Sequence, residues 1–73
     1  MLKHGQIWEN GRAIAQVLEA DGDRFRCVKL DIERGSYRFS GIKDLDKDGM
    51  VDHLKSMGMI PTEKLLDVHA GSL

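Results

Sequence analysis

Three short turn signals punctuate the first forty residues and leave this chain little choice of fold. They are Asn10-Gly11, Asp21-Gly22-Asp23 and Glu33-Arg34-Gly35-Ser36. Asn-Gly between apolar-containing runs is the strongest short hairpin signal, because a type I′ turn needs φ > 0 at both central positions. Its flanks are Gln6-Ile7-Trp8-Glu9 and Arg12-Ala13-Ile14-Ala15. A two-residue hairpin would set Glu9 opposite Arg12, Trp8 opposite Ala13 and Ile7 opposite Ile14, pairings that favour a sheet. Residues 13–20 read two ways. Ile14, Val17 and Leu18 keep helical spacing, with Asn10 as a cap and Gly22 as a stop. The turns that bracket the segment favour a strand.

Arg24 to Ile32 reads as a strand whose apolar pattern slips. Phe25 and Cys27 share one face, whereas Val28, Leu30 and Ile32 share the other. A period of two that slips by one residue predicts a bulge near Cys27-Val28. A fourth short strand begins at Tyr37-Arg38-Phe39 and ends at Gly41. After Ile42 the grammar changes. Met50, Val51, Leu54 and Met57 follow helical spacing, with Asp48 as the expected N-cap and Gly58 as the stop. Pro61 breaks the pattern, and Thr62 is placed to cap a last helix over Glu63–His69. The expected fold class is α+β: a small antiparallel β-meander of three to four short strands, then one or two short C-terminal helices. It is a single domain over residues 1–73, with a β half (1–43) and a helical half (44–73).

Length bears on function. A chain of 73 residues buries only about 60% of the surface its unfolded form exposes, which leaves little room for a catalytic pocket. The single cysteine, Cys27, excludes an internal disulfide and a multi-thiolate zinc site. In its strand-like setting it reads as a core thiol. His4, His53 and His69 are widely spaced, and no nucleophile or phosphate-loop motif is present. The reading is not an enzyme, and no cofactor is implied. No run approaches the ~18 apolar residues of a membrane span, and the first residues lack an apolar signal core, so a cytoplasmic protein is expected.

One run resembles a metal motif. Asp44-Leu45-Asp46-Lys47-Asp48-Gly49-Met50-Val51-Asp52 matches the start of a calcium loop, in which alternating oxygens converge and the glycine makes the bend. Asp44, Asp46, Asp48 and Asp52 would be the ligands. The twelfth position is Lys55 where the loop needs a bidentate carboxylate, and the run follows a strand. An Asp-rich helix entry, with carboxylates accepting orphan N–H groups, explains the same residues.

The net charge of −1 hides a polarity. Residues 1–43 carry eight basic and six acidic groups, and residues 44–73 carry three basic and six acidic. Arg24 and Arg26 would share a strand face, with Arg38 near them. With Tyr37 and Phe39 interleaved, that face suits RNA by phosphate pairing and stacking; a solvated outer face is the plainer account. Trp8 reads first as core, and alternatively as an interface anchor.

Over its whole length, in its opening Met1-Leu2-Lys3-His4-Gly5-Gln6-Ile7-Trp8 and in its order of strands before helices, the chain resembles the small RNA-polymerase-binding transcription regulators of lytic Xanthomonas phages. The resemblance implies an early phage product acting in the bacterial host cytoplasm, and a monomer is expected. It implies binding to the N-terminal segment of the polymerase β′ subunit, inhibition of σ-dependent initiation, and antitermination near the RNA exit channel. No motif carries residues across, so the contact residues are chosen on physical grounds. Ile7, Trp8, Val51 and Leu54 are the apolar anchors. Arg24, Arg26 and Arg38 are placed to meet acidic polymerase surface or exiting RNA. A calcium-binding module and an RNA-binding β domain are the alternative functions.

Overall fold

The computed structural model describes residues 2–65. The elements run β1 (Gln6–Glu9), β2 (Ala13–Glu19), β3 (Arg24–Glu33), β4 (Ser36–Asp46), α1 (Lys47–Ser56) and β5 (Ile60–Leu65). The strands form one sheet in the order β4-β3-β2-β1-β5, antiparallel throughout. The first four strands are the meander that the turns predict. The helix then carries the chain back, and β5 pairs with β1 at the far edge. The sheet therefore draws on both halves of the sequence.

The ambiguous segment is strand β2, as the flanking turns indicate. The first hairpin differs from expectation in register. Glu9 lies opposite Ile14 and Trp8 opposite Ala15, which makes Gly11-Arg12 the connecting pair. The cause is the Asn10 side chain: its Oδ1 accepts the N–H groups of Arg12 and Ala13, both at 2.9 Å. That Asx turn draws Asn10 out of the loop centre and puts Gly11, at φ +87, in the first central position. The slip is two residues, so every side chain keeps its face. At the third turn both Arg34 (φ 50) and Gly35 (φ 81) lie in the left-handed region, as a type I′ loop between Glu33 and Ser36 requires.

β4 does not end at Gly41 but runs on to Asp46. The bulge also lies here and not at Cys27-Val28. Lys29 pairs with Gly41 and Leu30 with Phe39, so Ser40 is the extra residue. β3 itself pairs with β2 without interruption. Because β4 is longer, the helix N-cap is Asp46 and not Asp48. Asp46 Oδ1 accepts the N–H of Gly49 at 2.8 Å, and Asp48 sits in the first turn. A Cβ at Gly49 would lie 2.8 Å from that same oxygen. At the other end Gly58 is the stop. Its N–H donates to the Lys55 carbonyl and the N–H of Met59 to the Leu54 carbonyl, the paired bonds of a Schellman cap.

The second predicted helix is corrected. Glu63, Lys64 and Leu65 belong to β5, and the rest of that segment lies outside the described residues. The Thr62 hydroxyl, expected to cap, instead donates to the Ile7 carbonyl at 2.7 Å and clamps β5 to β1. Pro61 is tolerated because β5 is an edge strand.

The core lies between one sheet face and α1. Trp8, Ala13, Ala15, Val17 and Cys27 point from the sheet, Met50 and Leu54 point from the helix, and Leu2 and Met59 close the ends. Phe25, Leu45, Val51 and Met57 pack around them. The small Ala13 and Ala15 leave space for the helix to sit close to the sheet. One buried polar group enters this layer. Gln6 Oε1 accepts the indole N–H of Trp8 at 3.2 Å, and Gln6 Nε2 donates to the Thr62 carbonyl at 3.3 Å. Among the described residues no helix is long and apolar enough to cross a membrane.

Candidate functional site

The other face of the sheet has no helix over it. By strand alternation it carries Ile7 from β1, Ile14, Gln16 and Leu18 from β2, and Val28, Leu30 and Ile32 from β3. Tyr37, Phe39 and Ile42 of β4 pair with Ile32, Leu30 and Val28 on the same side. Ile60 of β5 pairs with Glu9. Such a face is normally polar in a sheet packed on one side only. Here Tyr37, Phe39, Ile42 and Ile60 are each more than half exposed, and Ile32 is 41% exposed. These exposed apolar side chains lie on the neighbouring strands β3 and β4, with Ile60 at the other edge of the sheet.

The face is shaped as well as apolar. A depression of about 580 Å³ is lined by Ile7, Ile14, Leu30, Ile32 and Tyr37, with Glu9 and Lys64 among its charged lining residues. Ile7 is 8% exposed. At the centre of the face, Gln16 lies between Ile7 and Val28 in the ladder. Its side-chain nitrogen is covered and has no hydrogen-bond partner among the described residues. An orphaned amide N–H costs about 1–3 kcal/mol.

The arginines frame one end of this face. Arg24 and Arg26 lie on the open side of β3, opposite Asp46 and Asp44 of β4. Arg26 is engaged in a fork, Nε to Asp44 Oδ1 at 2.8 Å and Nη2 to Oδ2 at 3.0 Å. That bond raises the guanidinium pKa and holds the Asp44 carboxyl below its usual range. Arg24 donates to the Asp44 carbonyl at 3.3 Å. Both side chains of the fork remain open to solvent, so its energetic weight is small. Arg38 does not join them. It sits on the helix-side face of β4 and reaches Glu33 at 3.5 Å, because the bulge at Ser40 re-phases that strand.

The seven residues named from the sequence as partner contacts thus divide between two sides of the molecule. Ile7, Arg24 and Arg26 lie on the open face. Trp8 and Leu54, at 3% and 0% exposure, are core side chains, and Val51 packs beside them. Trp8 and Leu54 cannot meet a partner without opening the core, whereas Val51 is half-buried against it. The open face instead draws its area from Ile14, Leu30, Ile32, Tyr37, Phe39 and Ile42. The available signal was apolar residues at both parities of β3.

The calcium alternative is not assembled. Asp44 is on a strand and bonded to Arg26, Asp46 caps the helix, and Asp48 and Asp52 lie on α1. Among the described residues no group of three or more His, Cys, Asp or Glu side chains could hold a metal ion. Comparison of the chain with family models, with curated proteins and with solved structures finds no match.

Proposed function

We propose that this chain is a docking regulator of phage origin. Its open sheet face would hold an N-terminal segment of the bacterial RNA polymerase β′ subunit. By preferring core polymerase to the σ-bound form it would inhibit σ-dependent initiation, and by staying bound near the RNA exit it would promote antitermination. The single observation that carries the docking part is the uncovered apolar face, with Tyr37, Phe39 and Ile42 standing in solvent beside β4. The whole-chain resemblance supplies the polymerase.

The chemistry suits a short peptide. Ile7, Ile14, Leu30 and Ile32 line a depression of about 580 Å³, room for several side chains of a peptide. Arg24 and Arg26 are already faced by Asp46 and Asp44, so this end of the face offers a docked segment polar groups of both signs, which set register. Displacing σ requires no enzymatic step. A ligand with higher affinity for core enzyme shifts the equilibrium by that difference in affinity.

The test uses purified bacterial core polymerase and a synthetic peptide of the β′ N-terminus in titration calorimetry. The full chain is expected to bind both. A chain carrying Phe39→Asp and Ile42→Asp is expected to lose binding while keeping its thermal transition. Two results overturn the proposal: no heat with either partner, or equal binding by the double variant. In vitro transcription then reads fewer σ-dependent starts and more terminator read-through.

A further inference from the structure

On the opposite side of the molecule, a second cleft gathers positive charge. It holds about 270 Å³ between β3, β4 and the helix. Lys29 enters it from β3, Ser40 and Lys43 from β4, and His53 from α1, with the buried Cys27 also in its lining. Among the described residues no carboxylate lines it. Lys29 Nζ approaches Ser40 Oγ at 3.4 Å, and its charge is shared with Asp31 Oδ1 at 3.2 Å on the same strand.

Three features look like construction for a ligand. The bulge in β4 delivers the Ser40 hydroxyl to the side of the lysines, out of phase with Phe39. Gly41 beside it has nothing within 4 Å of where a Cβ would stand, so the mouth is clear. His53 lies near the cations Lys43 and Lys29. Burial, Lys43 and Lys29 all push its pKa down, and Asp52, its neighbour on α1, does not line the cleft. Asp31 offsets part of the charge of Lys29, and an anion placed among Lys29, Lys43 and His53 lowers the repulsion that remains.

We propose that this cleft binds a phosphate group, held by Lys29, Lys43, the Ser40 hydroxyl and the His53 ring. A tetrahedral oxyanion presents acceptors in several directions, and the cleft's donors come from three elements, β3, β4 and α1. The volume exceeds that of one phosphate, so the group arrives either free or as part of a phosphodiester chain entering by the open mouth. Ile42 lines this cleft as well as standing on the open face, whereas Phe39 does not line it, so Phe39→Asp alone separates the failure of the docking face from the failure of the cleft.

The experiment follows the His53 imidazole of the labelled full chain by NMR, with His4 as internal reference. One arm adds inorganic phosphate, and the other adds a short oligouridylate. Both are compared with chloride at equal ionic strength. The expected result is an upward move of the His53 pKa by about half a unit or more in the presence of the anion, with no move of His4. Lys43→Gln should weaken binding by roughly tenfold, the loss of one charge-assisted hydrogen bond. A response to phosphate alone names a free anion as the ligand. A tighter response to oligouridylate, weakening steeply as salt rises, names an RNA backbone. If neither moves His53 more than chloride does, or if Lys43→Gln binds as the parent does, the site is overturned.

Discussion

Replacing Gln6 by Met tests the polar clamp between the core and the last strand. Gln6 is 7% exposed, and its amide serves three groups. Its Oε1 accepts from the Lys3 backbone N–H at 3.3 Å and from the Trp8 indole at 3.2 Å. Its Nε2 donates to the Thr62 carbonyl at 3.3 Å. Methionine keeps the volume and removes all three. These bonds are long, so each is worth no more than about 0.5 kcal/mol net. The indole N–H left buried and unpaired adds about 1–2 kcal/mol. The expected loss is therefore about 2–3 kcal/mol, against a total stability of roughly 4–11 kcal/mol for a domain of this size. The assay is urea unfolding followed by Trp8, the only tryptophan. The midpoint should fall with the slope unchanged. A cycle with Trp8→Phe, read by circular dichroism, isolates the pair, and the double variant should lose less than the sum of the singles by about 1 kcal/mol. A loss under about 0.5 kcal/mol for Gln6→Met would refute the clamp, since a stranded indole N–H could not then be part of its cost.

Other expectations concern the helix, the thiol and the exposed fork. Leu54→Ala should cost about 2–5 kcal/mol by thermal or urea unfolding, because Leu54 is fully buried at the helix–sheet contact. Asp46→Ala should cost about 1 kcal/mol through loss of the N-cap, whereas Gly49→Ala should be near neutral because gained helix propensity offsets a displaced cap. Burial pushes the Cys27 thiol pKa up, with Lys29 opposing weakly. Its alkylation at neutral pH should then be far slower than that of a model thiol, and should speed up only in denaturant. For Asp44 the sign is that of a depressed carboxylate. The fork with Arg26 contributes above the unfolded-state carboxyl pKa and is lost as pH falls through the lowered value. Solvent exposure makes the effect small, and an acid titration of Asp44→Asn should lack it.

The meander is legible in the sequence because its turns carry their own chemistry. Asn10, Gly22 and Gly35 act within a few residues, so the positions of β1 to β3 follow locally. The hairpin register is less legible, since one Asx bond moves it by a ladder step. The last strand is the least legible. Thr62 before Glu63 looks like a cap, and the long-range pairing with β1, clamped by the bond to Ile7, makes that segment strand β5. Tertiary pairing across 55 residues has overridden a local preference, as it commonly does for short segments.

The candidate site is hidden in the feature that looks most like a fault. The apolar slip in β3, from Phe25 and Cys27 to Val28, Leu30 and Ile32, predicts a bulge if only one face of a strand is allowed to be apolar. β3 pairs with β2 without a break, so that premise fails here. Phe25 and Cys27 serve the core, while Val28, Leu30 and Ile32 face the uncovered side. An apolar row on an uncovered face costs solubility and brings no packing within the described fold. Ile14, Phe39 and Ile42 extend the row onto strands on both sides of β3, so it is a surface and not a single misplaced residue. Aspartate at Phe39 and Ile42 should then leave the fold intact, because neither side chain packs on the core, and should remove only what the face holds.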